Sequence, residues 1–171
     1  MDLTVDEAAN ALVSTGTFAF LGAVPIERIN EVAEALGVRF PAGYLIWLLK
    51  YGGGGATGAE ISGIPLDAAD DSVGTVRGDT QRLRDTMTLP DDLIVVLRND
   101  DDRPWCLSTE PDEHGRCPVV SVGGGQVTPV YPDFDAFFAE YVIAWAQDIG
   151  ADLTKHRPDP KPGIRRLGRD A

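Results

Sequence analysis

Four consecutive glycines, Gly52–Gly55, separate two parts of the sequence that have different patterns. A glycine inside a helix costs about 1 kcal/mol relative to alanine, so a helix is not expected to continue through this segment. Before the glycines, apolar residues recur at three- and four-residue spacing, which is typical of helices. After them, short β-prone runs alternate with turn-forming clusters. The glycine run therefore predicts helices on one side and a sheet on the other.

Three helices are predicted ahead of the glycines. Thr4-Val5-Asp6-Glu7 has the spacing of a capping box, which predicts a helix that runs to about Ser14. Pro25 suits the first position of a second helix, and Gly37 suits its end. A third helix follows Phe40-Pro41 and stops at the glycine run.

Five β-prone runs follow, and clusters rich in Asp, Gly and Pro separate them. The runs are Ala59–Ile64, Leu93–Leu97, Trp105–Ser108, Pro118–Val122 and Gln126–Tyr131. Consecutive strands joined by short turns predict an antiparallel meander. The polar stretch Ser72–Met87 favours a short helix, and Asp133 is a good cap for a last helix with an aromatic stripe.

This order of elements predicts an α+β fold. We expect N-terminal helices and a C-terminal helix packed on a curved, mainly antiparallel sheet of about five or six strands. Residues 1–150 are expected to form a single domain. After Gly150 the sequence is rich in Pro, Lys and Arg, so residues 151–171 are expected to be a basic, proline-containing tail that is extended or mobile.

The charge of the chain is strongly negative and uneven. The net charge is −12; residues 1–151 hold nine basic and 24 acidic side chains, and the remainder holds six basic and three acidic ones. A body of net charge −15 is repelled by nucleic-acid phosphates and attracts a basic surface. Solubility alone also explains such a charge, so both interpretations stay open here.

The order of motifs between Ile29 and Gly63 points to a family. A helix ends in Leu36-Gly37, a Phe40-Pro41 step follows, and a helix bearing Tyr44 stops at the glycine run. Further matching segments are Glu60–Gly63, Leu89–Val96, Trp105–Leu107, Pro118–Val120 and Phe134–Phe138. In this order the segments resemble the SUKH superfamily, which includes bacterial immunity proteins and a fungal cell-wall assembly regulator. The resemblance covers about Ile26–Trp145.

The resemblance implies a protein-binding fold whose partners dock on the sheet side and its loops. Bacterial members typically neutralise a toxin, and many such toxins are nucleases, whose phosphate-gripping surfaces must be basic. An acidic immunity protein gains association rate and specificity on such a surface. The expected partner is therefore a cognate, basic protein toxin. The expected contacts are the acidic residues of three turns: Asp67, Asp70, Asp71; Asp100, Asp101, Asp102; Glu110, Asp112 and Glu113.

No catalytic constellation emerges from the sequence. Gly53–Gly58 fits G-x-G-x-x-G but follows a helix and precedes a strand, the reverse of a dinucleotide site. Cys106, His114 and Cys117 are irregularly spaced for zinc, and the two cysteines are interpreted as small buried hydrophobes that face each other across a hairpin. The turn Asn99–Glu110 is at most a weak cation site. We therefore expect no catalytic residue, metal or cofactor.

Two further function classes stay open beside the immunity protein. One is a SUKH-type adaptor or regulator that binds a non-toxin protein; the other is a small hydrolase or metal-dependent enzyme, which His114→Ala would inactivate. The sequence has no secretory signal and no apolar run of the ~20 residues that cross a membrane, so a cytoplasmic protein is expected. The oligomeric state is not predicted.

Overall fold

The structure is a computed structural model. It describes Val5, Asp6, Ala9, Val13 and residues 19–56, 59–66, 71–98 and 103–148. The first four of these are helical, inside the helix predicted from Thr4 to Ser14; the rest of that helix lies outside the described residues. The tail, residues 151–171, also lies outside them, so the proposed domain boundary stays a prediction.

The two helices that precede the glycine run begin and end at the predicted residues. Helix α1 spans Ile26–Leu36 and helix α2 spans Ala42–Tyr51. Pro25 and Pro41 precede them, and each helix ends at a glycine in the left-handed conformation. α1 buries one stripe, and α2 buries Tyr44, Trp47 and Leu48.

In the described part of the chain, seven strands form one antiparallel sheet in chain order. They are β1 (Ala19–Phe20), β2 (Gly54–Ala56), β3 (Ala59–Ile61), β4 (Leu93–Leu97), β5 (Trp105–Ser108), β6 (Val119–Gly123) and β7 (Gln126–Tyr131). The predicted meander and α+β class are confirmed. The sheet is larger than the expected five or six strands because β1 and β2 were not predicted.

The glycine run ends α2, as predicted, and then becomes a strand. Gly54 and Gly55 pair with β1 on one side and β3 on the other. Both have φ above +100°, and a Cβ on either would collide with the backbone of a neighbouring strand. Only glycine fits here, so the same residues that exclude a helix allow this close strand packing.

Helix α3 (Val76–Met87) lies beside β4, within the stretch predicted to be helical. Thr75 caps it by accepting a hydrogen bond from Gly78 N at 3.0 Å. Strand β3 pairs with β4 at a single residue, Ile61 opposite Leu97. The Thr80 hydroxyl of α3 supplies the acceptor for Val95 N, at 2.9 Å. α3 thus supplies a hydrogen-bond acceptor to β4 at a residue with which β3 does not pair.

The last helix begins after Asp133, whose carboxylate accepts a hydrogen bond from Ala136 N at 2.8 Å, as predicted for a cap. It consists of α4 (Phe134–Phe137), a π-helical turn (Phe138–Val142) and α5 (Ile143–Asp148). Its aromatic rings pack on the sheet: the ring of Tyr141 lies 4.4 Å from that of Trp105, between centroids. The aromatic stripe is therefore core, as predicted.

Apolar side chains are buried on both faces of the sheet. The larger cluster lies between the sheet and helices α1, α2 and α4, and includes Ile94, Leu107 and Val119. The smaller cluster lies on the other face and consists of Leu89, Leu93, Val95, Cys106, Val120 and Val122, with Leu83 packed against it. The central strands are thus covered on both sides. No helix in the described residues is long and apolar enough to span a membrane.

Candidate functional site

One of the predicted acidic turns is held rigidly at the end of the sheet where β5 passes to β6. Asp112 organises this turn: its Oδ1 accepts hydrogen bonds from His114 N at 2.8 Å and Arg116 N at 2.9 Å. The hydrogen bond from Arg116 N, and to a lesser extent that from His114 N, hold the pKa of Asp112 below its ordinary value. The Arg116 side chain lies 3.9 Å from Asp112 Oδ2. The Asp112 carboxylate therefore stabilises the turn to which it belongs and is less available for a contact with a partner.

Glu110 and Glu113, in the same turn, are exposed. The side chain of Glu113 is 86% exposed, and its Oε1 lies 3.4 Å from Nε2 of His114. The two glutamates thus present their charge to solvent, and the Asp112 turn fixes the backbone that carries them.

The structure places two more exposed carboxylates at this end, Asp91 and Asp92, which were not predicted as site residues. The Asp92 carbonyl accepts hydrogen bonds from Thr109 N and Thr109 Oγ1, both at 2.8 Å. Arg84 donates to the Asp91 carbonyl at 2.6 Å and to the Leu36 carbonyl at 2.8 Å. The turn before β4 is thereby tied to the turn after β5. In the sequence these two residues belong to Leu89-Pro90-Asp91-Asp92, the start of the Leu89–Val96 segment that carries part of the family resemblance.

We name these five residues, Asp91, Asp92, Glu110, Asp112 and Glu113, the acidic end. Arg116 is the cation ion-paired within it, to Asp112. Arg84 donates from Nη1 and Nη2 to two backbone carbonyls. The acidic end is therefore a fixed surface of net negative charge, built from two chain segments that Thr109 joins.

Of the other predicted contact residues, the structure describes Asp71 alone, and it is not part of the acidic end. Asp71 is exposed and lies just ahead of α3, with its carbonyl against Gly78. Asp67, Asp70 and Asp100–Asp102 lie outside the described residues.

Strand β7 is an exposed edge next to the acidic end. The last residue of β7, Tyr131, pairs with Val119 at the start of β6, so β7 ends beside the acidic end. Gln126 to Val130 are all exposed, and Val127 is 47% exposed. Pro129 has no backbone N–H to donate, and within sheets proline is usually found on edge strands. Because the inner strands are buried on both faces, β7 is the exposed strand surface that adjoins the charges.

A buried polar network beneath the glycine run is structural. Tyr44 donates a hydrogen bond to the Ser62 carbonyl at 2.5 Å, and Ser62 Oγ donates to Asp79 at 3.1 Å. Asp79 also accepts from Gly74 N and from Arg82. Burial, and then the Asp79 charge, raise the pKa of Tyr44. Ser62 and Asp79 are buried and hydrogen-bonded to each other, so Ser62 is not presented as a nucleophile.

The cysteines do not face each other, so that part of the interpretation was wrong; Cys106 is a small buried residue in an apolar cluster, as predicted. Cys106 pairs with Val120 and belongs to the smaller cluster, whereas Cys117 packs against the larger cluster. Both are free thiols. Burial raises the pKa of Cys106 to about 12. Among the described residues, His, Cys, Asp and Glu side chains form no group of three or more that could hold a metal ion.

Comparison with protein families supplies one match. The family model SUKH_5, described as SMI1-KNR4 cell-wall, matches residues 1–144 of the chain. The match takes in all seven strands, the acidic end and most of the last helix.

Proposed function

Because this chain belongs to the SUKH superfamily, we propose that it is an immunity protein that binds and neutralises a cognate bacterial toxin. The superfamily supports an immunity or regulator role exercised through protein–protein contact. No catalytic residue or cofactor is needed for this function. Neutralisation requires only that the bound protein cover the surface with which the toxin acts.

The observation that carries the proposal is the acidic end. Exposed carboxylates of Asp91, Asp92, Glu110 and Glu113 converge there on backbone that hydrogen bonds hold in place. A rigid negative surface steers a basic partner and favours it over neutral ones, while little ordering is needed on binding. A toxin that grips phosphate must carry such a basic surface. A basic nuclease is therefore the toxin class that fits best.

A growth experiment tests the function. Any toxin-type open reading frame found next to the gene is co-expressed with the chain, under separate inducible promoters. Restored growth, together with a complex of the two purified proteins, would support the proposal. If the toxin arrests growth at equal levels with and without the chain, the immunity function is refuted.

A charge-reversal pair tests the surface. Glu110→Lys/Glu113→Lys alters the acidic end, and Glu27→Lys/Glu34→Lys makes the same change in net charge on exposed positions of α1. We expect the first variant to associate with the toxin about tenfold more slowly at low salt and the control to change much less. High salt should reduce the difference in association rate between the two variants, since it screens exposed charges.

Equal slowing in both variants would mean that overall charge, not the acidic end, drives association. The turns that contain Asp67, Asp70, Asp71 and Asp100–Asp102 stay proposed contacts on the basis of their charge. Reversal of Asp100, Asp101 and Asp102 to Lys tests them in the same assay. Unchanged association at low salt would exclude that turn.

A second candidate function is an adaptor or regulator that binds a non-toxin protein. The family description, SMI1-KNR4 cell-wall, is the observation that favours it. This candidate predicts no protection from a toxin. It also predicts a stable complex with an endogenous protein of envelope assembly or signalling, recovered by affinity capture and reproduced with purified components.

A further inference from the structure

An open cleft of about 320 Å³ lies on the helical side of the molecule, apart from the acidic end. Its volume is at the lower end of the range of ligand pockets. Three segments contribute the described residues that line it: the N-terminal helical segment, α2 and the start of α4. These residues are Val5, Asp6, Gly43, Ile46, Trp47, Lys50, Tyr51 and Asp135.

The charges in the cleft do not balance. Asp6 is engaged: it accepts hydrogen bonds from Lys50 and from Tyr51 Oη, the latter at 3.0 Å. The Asp135 carboxylate makes no hydrogen bond or ion pair with another described residue. Burial, and then the neighbouring Asp133, raise the pKa of Asp135. Asp135 is exposed, and among the described residues its carboxylate has no counter-charge in the cleft.

The backbone leaves room at this carboxylate. Gly43 lies across from it on α2, and a Cβ placed on Gly43 would come within 2.8 Å of Asp135 Oδ1. A larger residue at position 43 would displace the carboxylate from its present position, which its flexible side chain allows. The glycine thus lets Asp135 lie directly against α2 at the cleft.

The other walls are apolar. Ile46 is 52% exposed although it is a large aliphatic residue in the middle of α2. Val5 also lines the cleft, and so does Trp47, although only 1% of Trp47 is exposed. A molecule that matches the cleft needs an aliphatic part for this wall and a positive group for Asp135. The side chains of lysine and arginine combine these two parts, a methylene stem and a cationic head.

We infer that the cleft receives one lysine or arginine side chain of a basic protein partner, with its stem on Ile46 and Val5 and its cationic head at Asp135. The inference rests on the proposed function for the identity of the partner. It adds a second contact to the acidic end: the acidic end steers the partner by charge, and the cleft anchors a single side chain.

The test uses the full chain and a small probe, so it does not require the toxin. The chain has three tryptophans, and Trp47→Phe identifies the indole N–H resonance of Trp47 in a ¹⁵N-labelled sample. This resonance is followed during titration with N-acetyl-lysine amide and, separately, with N-acetyl-norleucine amide. Norleucine has the aliphatic stem without the ammonium group.

We expect a saturable shift with the lysine probe and an affinity at least fivefold weaker for the norleucine probe. Asp135→Asn should abolish this preference, and Ile46→Ser should weaken both probes. Asp148→Asn is the matched control, an exposed carboxylate at the end of the same helical segment, and should leave the preference unchanged. Thermal unfolding of each variant confirms that it is folded.

Equal affinity for the two probes, or a preference that persists in Asp135→Asn, would overturn the inference. A shift of the Trp47 resonance on Arg165→Gln/Arg166→Gln substitution, without any probe, would assign the cleft to the chain's own basic tail and would also overturn it. Failure of the growth experiment with a positive probe result would instead count against the toxin as partner. The two proposals therefore fail separately.

Discussion

Replacement of the buried Asp79 by alanine should destabilise the protein by about 3 kcal/mol. Asp79 is 1% exposed, and Ser62, which donates to it, is 2% exposed. A buried hydroxyl that loses its acceptor costs about 1–3 kcal/mol. Gly74 is exposed, so water can replace the acceptor of its N–H and the loss is about 1 kcal/mol. The bond to Arg82, whose side chain is 39% exposed, adds less than about 1 kcal/mol.

Equilibrium unfolding in urea, followed by tryptophan fluorescence, measures this difference directly. At ~2–4 °C per kcal/mol for a chain of this size, the melting temperature should fall by roughly 6–12 °C. Asp85→Ala is the control because it removes an exposed aspartate from the same helix. Its effect should stay within about 0.5 kcal/mol.

A double variant checks the mechanism. If the orphaned Ser62 hydroxyl causes much of the loss, Ser62→Ala/Asp79→Ala should be less destabilised than the sum of the two single variants. A loss below about 1 kcal/mol for Asp79→Ala, or strict additivity in the double variant, would refute the reasoning.

Three further predictions concern other parts of the fold. Thr80→Val should cost about 1–3 kcal/mol and speed hydrogen exchange of the Val95 amide, which loses its acceptor; unchanged exchange would contradict this. Iodoacetamide at pH 8 should modify the native chain once, at Cys117, because burial protects Cys106; mass spectrometry showing two adducts would oppose it. The lowered pKa of Asp112 means that its contribution to stability is present above its ordinary pKa of 3.8 and is lost as pH falls through the lowered value. Asp112→Asn should therefore flatten the acid limb of the stability–pH curve, and an unaltered curve would count against this role.

Much of the fold could be predicted because the ends of its helices and strands are determined by neighbouring residues in the sequence. Pro25, Gly37 and Gly52 fix helix ends through backbone geometry that only these residue types favour. Strands β4, β5 and β7 occupy the predicted residues, since β-branched and aromatic runs are bounded by turn formers. Local signals of this kind do not depend on the rest of the chain.

Strands β1 and β2 could not be predicted for the opposite reason. β1 has two residues, and β2 consists mainly of glycine, a residue that strands disfavour. Their pairing depends on distant backbone. The acidic end is similar: charge indicated Glu110 and Glu113, but the register that sets Leu93 opposite Ser108, and the bond from Thr109 to Asp92, bring the second segment beside them. The cleft joins three segments and has no sequence signal.

The chain-order sheet also has a consequence for how the protein assembles. Gly124 and Gly125 alone separate β6 from β7, so that pairing closes a very short loop. Phe20 and Gly54, in contrast, lie 34 positions apart when β1 meets β2. Loop closure is entropically more demanding for the longer segment. Strands β4–β7 should therefore form early as a unit, and β1, with the N-terminal segment, should attach last and detach first.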